Sequence, residues 1–300
     1  MKTLALAATL LGLVTGTVMA ADLPVKVPPV APTYNWTGWH VGGNVGYGWG
    51  NSDPSNLGIG NSITHTGPFD QSNSFAFGGP QSQKLNGGVI GGGQFGYNYQ
   101  AGRIWLLGFE ADIQAANQRS TSTFLDPIAG TVCESGNALR CTQTRPLIGA
   151  AITNYQTKLE WFGTVRGRVG LLVTDQTFFY ATGGLAYGNL TASGNVTVSG
   201  TEPVLGVAFT GVTSGFGASK TNVGYAAGGG IEGKLTNLLP QNWSWKLEYL
   251  YLDLGSVNVA TPFVAASNRT AGFTDINGTA SYHSRFTDNI VRAGLNYQFH

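Results

Sequence analysis

Charge is scarce in this chain. Asp, Glu, Lys and Arg together make up 10% of 300 residues, where a soluble globular domain carries about 25%, and this argues against an ordinary water-soluble enzyme. Neither sign is in excess, with 16 basic residues against 15 acidic. The basic face that nucleic-acid binding requires is therefore missing, and nucleic acid is not expected as a partner. Long apolar runs are missing as well. Leu4 to Val14 is the best of them and falls short of the about 18 apolar residues a membrane-spanning helix needs, which excludes a helical membrane protein. Cysteine is limited to Cys133 and Cys141, and the four histidines form no His-x-x-x-His pair, so no metal or other cofactor is expected. No Gly-x-Ser-x-Gly motif is present either, and the expectation is a protein that is not an enzyme.

Glycine, by contrast, is abundant, at 45 of 300 residues, beside 42% hydrophobic and 11% aromatic content. The first segment, residues 1–20, reads as an export signal: Lys2, a short apolar core, and Val18-Met19-Ala20 before the cut. Residues 21–35 are proline-rich and read as an extended periplasmic segment. In an exported chain, the simplest expectation for Cys133 and Cys141 is one disulfide.

Residues 36–300 then show a period of two. Trp39, Val41, Val45, Tyr47 and Trp49 alternate with His40, Gly42, Asn44 and Gly46, and seven further segments behave alike. They are centred on Val89–Tyr99, Trp105–Ile113, Leu159–Leu171, Phe179–Tyr187, Val223–Ile231, Trp243–Tyr251 and Val291–Phe299. No charged residue falls on the apolar face of these eight segments, while the opposite faces hold ten. A soluble β-sandwich could share that alternation. The aromatics decide against it. Trp39 and Trp49, ten residues apart on one face, are separated by about 25 Å in a tilted strand, the height of an outer-membrane apolar band. Tyr97, Tyr99, Trp105, Trp161, Trp243 and Trp245 likewise crowd strand ends, where membrane interfaces accept aromatic rings.

Connections alternate between short and long. Gln100–Arg103, Thr174–Gln176 and Leu235–Asn242 are short; Asn51–Gln83, Asn117–Thr157, Asn189–Thr221 and Asp253–Ser284 run to some thirty or forty residues. This is the layout of an up-and-down, antiparallel transmembrane β-barrel of the Gram-negative outer membrane, all-β, with four extracellular loops. Eight strands are expected. Ten is the alternative, because Ile148–Tyr155 and Pro203–Thr213 carry strand-like residues inside two long connections, which could also be hairpins rising above the membrane.

Several stretches resemble a known family. Ala21-Asp22-Leu23-Pro24, Trp36-Thr37-Gly38-Trp39-His40-Val41-Gly42-Gly43-Asn44-Val45-Gly46-Tyr47, Val165-Arg166-Gly167-Arg168-Val169-Gly170, and Asn289 through Phe299 are similar to the alphaproteobacterial small outer-membrane barrels, the porin-family or opacity-type surface proteins. The resemblance implies an integral outer-membrane protein with a structural and surface-antigen role, in contact with lipid and lipopolysaccharide. It also implies delivery by periplasmic chaperones to the barrel-assembly machinery, with Tyr297 and Phe299 as the assembly signal, here followed by His300. A few members of the family are credited with hemin binding.

The interior-facing charges form the main candidate site. Glu110, Asp112, Glu160, Glu232 and Glu248 are set against Arg166, Arg168, Lys234, Lys246 and Arg292. Eight strands leave an interior just wide enough for its own side chains, and buried charges persist only when paired; the expectation is a plugged lumen, with a small-solute porin as the alternative. Gly91, Gly93 and Gly96 spell a dinucleotide-binding pattern, but another strand follows where a helix is required. His40 is expected to face the lumen. His65 and His283 fall in the first and fourth long connections and could meet at the surface as hemin ligands, while an esterase built around His283 is the remaining enzymatic alternative. No sequence feature names an extracellular partner.

Overall fold

A computed structural model of the chain describes residues 34–66, 69–81, 83–134, 143–202, 207–209, 213–235, 242–266 and 273–299. The expected export signal and most of the proline-rich segment lie outside these residues, as does Cys141 and with it the Cys133–Cys141 pairing.

Among the described residues there are ten strands: β1 (Gly38–Thr66), β2 (Phe69–Pro80), β3 (Gln83–Ala101), β4 (Trp105–Glu134), β5 (Gln143–Thr174), β6 (Thr177–Glu202), β7 (Val207–Phe209), β8 (Thr213–Lys234), β9 (Trp243–Ala266) and β10 (Phe273–Phe299). All pairings are antiparallel, and β10 pairs with β1 from Trp39↔Phe299 to His65↔Phe273, closing the ring. A closed sheet leaves no edge in lipid, where an unpaired backbone group costs several kcal/mol. β2 and β3 descend one after the other along β1, and β7 and β8 along β6. Each of these pairs occupies one place in the ring, which therefore has eight places in an up-and-down order.

The expected long loops are corrected here. β1, β4 and β5 contain 29, 30 and 32 residues, and thirty extended residues reach about 100 Å, far more than an apolar band about 25 Å tall requires. The segments between the membrane strands are continuations of those strands, paired to their ends as four hairpins. They did not read as strands because they are polar and rich in Thr, Ser, Asn and Gly.

Along the membrane part the outward face is apolar. Val45, Phe95, Ile113, Val165, Leu185 and Leu247 are all exposed, the exposed large apolar surface that only lipid would cover. One ring of aromatics marks the periplasmic rim, where the Trp39 ring lies 5.0 Å from Phe95 and 5.0 Å from Tyr97, and Tyr297 lies 5.4 Å from Trp243 and 5.1 Å from Phe299. Tyr99, Trp105 and Trp245 also face outward near this rim. Toward the outer rim stand Trp49, the Trp161–Tyr187 pair at 6.2 Å and the Tyr225–Tyr251 pair at 6.2 Å.

Above that outer ring the pattern inverts. Register shifts occur at Gly48/Gly50, Asn86/Ile90, Ala115/Gln118, Leu159/Trp161 and Phe286/Thr287. A β-bulge adds one residue and re-aims the side chains beyond it. In β5 the bulge turns Leu159, Thr157 and Tyr155 inward, where Phe162, Thr164 and Arg166 point inward below it. In β9 the left-handed Gly255, at φ 70°, plays the same part. The result is a tube with charged and amide contents where its outside is lipid and, farther out, a largely apolar filling that also buries Ser52, Asn56, Asp126 and Thr157.

Glu160 is displaced by the β5 bulge, which corrects its expected place in the lumen. It is 46% exposed and pairs outside the barrel with Lys158 at 2.5 Å. An exposed pair of this kind is worth under about 1 kcal/mol. Glu160→Gln should therefore leave the unfolding free energy of the refolded protein, read from urea titration, within about 1 kcal/mol of the parent; a loss several times larger would return Glu160 to the interior.

Candidate functional site in the barrel interior

Alternation brings one residue in two from every strand toward the axis, and the charged ones gather at one level. Glu110 accepts from Lys246 at 2.7 Å, Arg166 at 2.9 Å and Arg168 at 3.3 Å, and lies 3.6 Å from Arg292. Asp112 accepts from both Arg166 and Arg292 at 2.9 Å and from the Thr164 hydroxyl at 2.8 Å. Glu248 joins Arg166 at 3.1 Å and Arg292 at 2.5 Å, and accepts from Tyr180 at 2.9 Å. Glu232 accepts from Arg168 at 3.2 Å, Ser244 at 2.6 Å and Asn296 at 2.9 Å. His40 completes the cluster, its Nε2 lying 3.2 Å from Arg168 and 3.5 Å from Glu110.

Four carboxylates thus face four cations, all buried to 5% exposure or less. Charges taken out of water are tolerable only with such partners, since an unpaired buried ion costs several kcal/mol. Glycine makes the room. A Cβ on Gly46 would sit 2.7 Å from the Cβ of Arg292 and 2.4 Å from the Val291 carbonyl oxygen, so only the absence of a side chain lets Arg292 lie across the lumen.

The two remaining members of the expected five-against-five set stand elsewhere, one of each sign. Glu160 is outside, as described. Lys234 sits at the periplasmic mouth, where its ammonium lies 3.8 Å over the Tyr34 ring and 4.5 Å over Trp36, and donates to Gln298 at 3.1 Å. Cation–π contact substitutes there for a carboxylate.

Trp36 is the element that sequence reasoning missed. It is 1% exposed, packs edge-on against Phe178 at 4.7 Å, and donates from its indole nitrogen to the Asp175 carbonyl at 3.2 Å. Together with Tyr34, Leu106, Phe178 and Tyr180 it forms an apolar lid across the periplasmic end. The available signal was a Tyr-x-Trp pair just before the first alternating segment, aromatics with no place in a solvated linker.

On the other side of the charges lies a band of amides. Asn44 donates to Gln94 at 2.9 Å, Gln94 to Asn296 at 2.5 Å, and Gln118 to Asp288 at 2.8 Å. Farther out the filling is apolar. Leu159, Phe162, Leu190, Val196, Leu254, Phe286 and Ile290 belong to one buried cluster, and Phe216 stacks between Tyr282 at 4.0 Å and Tyr155 at 6.1 Å. Burial pushes the Tyr282 phenol up to about 12, so it stays neutral.

The two surface histidines do not meet. His65 pairs in register with Phe273, and His283, on the same strand as Phe273, is ten residues farther along, about 33 Å away in extended chain. One hemin iron cannot be held by both, and the expected pairing is corrected. His283 instead lies 2.5 Å from Asn258. No group of three or more His, Cys, Asp or Glu residues fit to hold a metal occurs among the described residues.

Residues 8–299 match the outer membrane protein beta-barrel domain family. The chain is similar to the 31 kDa outer-membrane immunogenic protein of Brucella melitensis biotype 1, at 31% identity over 287 residues, covering 94% of this chain and 93% of that protein. It is also similar to the 22 kDa outer membrane protein of Rhizobium leguminosarum bv. viciae, at 27% identity over 271 residues, covering 90% of this chain and 82% of that protein. Among solved structures, it is similar to OprG of Pseudomonas aeruginosa, with TM-score 0.35 and 10% identity, covering 89% of this chain and 99% of that one. Ail, the attachment invasion locus protein of Yersinia pestis, gives TM-score 0.27 and 12% identity, covering 79% and 98%.

Proposed function

Because this chain belongs to the outer membrane protein beta-barrel domain family and is an integral protein of the Gram-negative outer membrane, we propose that it is a non-conducting, non-enzymatic surface barrel. In this reading it stiffens the membrane and holds four long hairpins above it as the antigenic face of the cell. The observation that carries the reading is the burial of side chains at successive levels inside the ring. The aromatic lid, the four-against-four charge cluster, the amide band and the apolar column succeed one another along the axis. Solute conduction requires a wetted path, and each layer opposes one in its own way: by bulk, by fixed charges of both signs, or by apolar side chains.

Lipid covers the outward wall. Periplasmic chaperones and the barrel-assembly machinery, which would read Tyr297 and Phe299 on the last strand, are the proposed partners of its biogenesis. The relative named as immunogenic supports the antigenic role by analogy. A Cys133–Cys141 disulfide also belongs to the proposal; its nine-residue ring would order the tip beyond β4 and β5 more than it would stabilise the barrel.

Single-channel recording of the refolded chain in a planar bilayer tests the function, with folding verified on the same sample by heat-dependent gel mobility. Silence is expected. Discrete, reproducible steps would replace the reading with a small-solute porin.

A further inference from the structure

We propose that the outward wall of β3, β4 and β5, just above the outer aromatic ring, is a binding site for the phosphate groups of lipopolysaccharide. The proposal rests on the orientation of the barrel in its membrane and not on whether its lumen conducts. Three cations stand on that wall. Arg119 and Lys158 are register partners on β4 and β5, and Arg119 is also partnered with Asn86 on β3, two residues from Lys84. Ser120 and Gln118, which flank Arg119, are buried inside, as are Thr157 and Leu159 beside Lys158. Arg119 and Lys158 therefore point outward together. Lys84 is the partner of Asn51, which is exposed beside the buried Ser52, so it shares the outer face.

Like charges directly opposite each other on one face of a sheet destabilise the pair. Among the described residues, the acidic side chain on the outward faces of β3, β4 and β5 at this level is Glu160, which is taken by Lys158 at 2.5 Å; Asp53, on the neighbouring β1, is the register partner of Arg285 on β10. No ion pair to Lys84 or Arg119 is present among the described residues. The opposite wall differs. There the exposed cation Arg285 is held by Asp253 at 2.5 Å, so that side satisfies its charge within the protein.

Height selects the occupant. Trp161 and Tyr187 mark the outer limit of the apolar band on β5 and β6, and Lys158 stands three residues beyond Trp161, about 8 Å farther out along a tilted strand. In an outer leaflet of lipopolysaccharide, that is the level of the phosphates on the glycolipid headgroup. A phosphate between Arg119 and Lys158 turns a repulsion into two charge-assisted hydrogen bonds, and Arg is suited to bidentate phosphate contact. The bulge that carries Glu160 outward also sets Lys158 on this face, so the site follows from the same device that inverts the tube.

The test is titration of the refolded full chain, in neutral detergent, with bisphosphorylated lipid A, with lipid A stripped of phosphate, and with phosphatidylglycerol. The parent and Arg103→Gln, a change in the β3–β4 turn, should bind bisphosphorylated lipid A alike. Arg119→Gln/Lys158→Gln should bind it about tenfold or more weakly, a difference of about 1.4 kcal/mol. The stripped glycolipid and phosphatidylglycerol should also bind about tenfold or more weakly than bisphosphorylated lipid A. Equal binding by the double variant, or by either control lipid, overturns the proposal. Folding is checked by heat-dependent mobility, and Lys84→Gln, expected to weaken binding in the same direction, serves if the double variant does not refold. Its failure to weaken binding would overturn the proposal as well.

Discussion

Glu110→Gln is expected to destabilise the barrel by about 3–5 kcal/mol, the cost of breaking a buried ion cluster by removing one partner. The substitution keeps shape and removes charge. Four cations converge on this carboxylate, from Lys246 at 2.7 Å to Arg292 at 3.6 Å, and Asp112, Glu248 and Glu232 are left to balance them alone. One uncompensated positive charge then lies inside a wall that faces lipid. The measurement is the urea midpoint of the protein refolded into vesicles, read from heat-dependent gel mobility. A second change separates charge from packing: Glu110→Gln with Lys246→Met restores neutrality and should recover a large part of the loss, since the two residues share one contact and their effects do not add. A loss below about 1 kcal/mol for Glu110→Gln would mean that water reaches this level of the lumen and screens the charge, and the closed interior would have to be given up with it.

The contrast with Glu160 shows how far a sequence carries such an argument. Both glutamates sit at the polar positions of an alternating segment, and period two gives them the same face. Alternation survives from Arg166 to Leu171 because the ladder there is regular. It fails at Glu160 because one bulged residue shifts the phase, and a bulge leaves no pattern in a segment read by alternation alone. The ring itself was legible, since lipid outside and charge inside is a sharp distinction repeated eight times, with Trp39 and Trp49 spacing the two interfaces. The tube above the membrane was not. Its outside faces water and its filling is largely apolar, so the contrast runs the other way, but Ser52, Asn56 and Thr157 inside and Leu57, Ile59 and Leu125 outside blur it. Ile148–Tyr155 and Pro203–Thr213 gave the readable hints; the first proved to be part of β5, and the second contains β7 and reaches the start of β8. Trp36 escaped for a different reason: its partners Leu106 and Phe178 are about seventy and more than a hundred residues away in sequence, and nothing local connects them.

That inversion predicts two parts that fail separately, and Phe216→Asp is the variant that should part them. Phe216 stacks on Tyr282 at 4.0 Å, with Tyr155 at 6.1 Å, inside the apolar column above the membrane. Removing a buried Phe ring costs about 3–5 kcal/mol, and an ionised carboxylate left unpaired in its place adds several more. The β8–β9 side is the weak one. Their ladder runs only from Tyr225↔Asp253 to Lys234↔Ser244, and beyond it the strands are joined by side chain to backbone bonds such as Asn222 to Ser256 at 2.9 Å and Ser214 to Pro262 at 2.9 Å. The upper tube should therefore open there and become accessible to a protease added from outside, while the membrane part, held by its own charge cluster and closed ladder, keeps its heat-dependent mobility. Phe216→Leu, which stays apolar, should resist the protease nearly as well as the parent. Loss of folded mobility in Phe216→Asp would show instead that the two fillings form one cooperative core, and unchanged protease resistance would show that the stack does not hold the hairpins together.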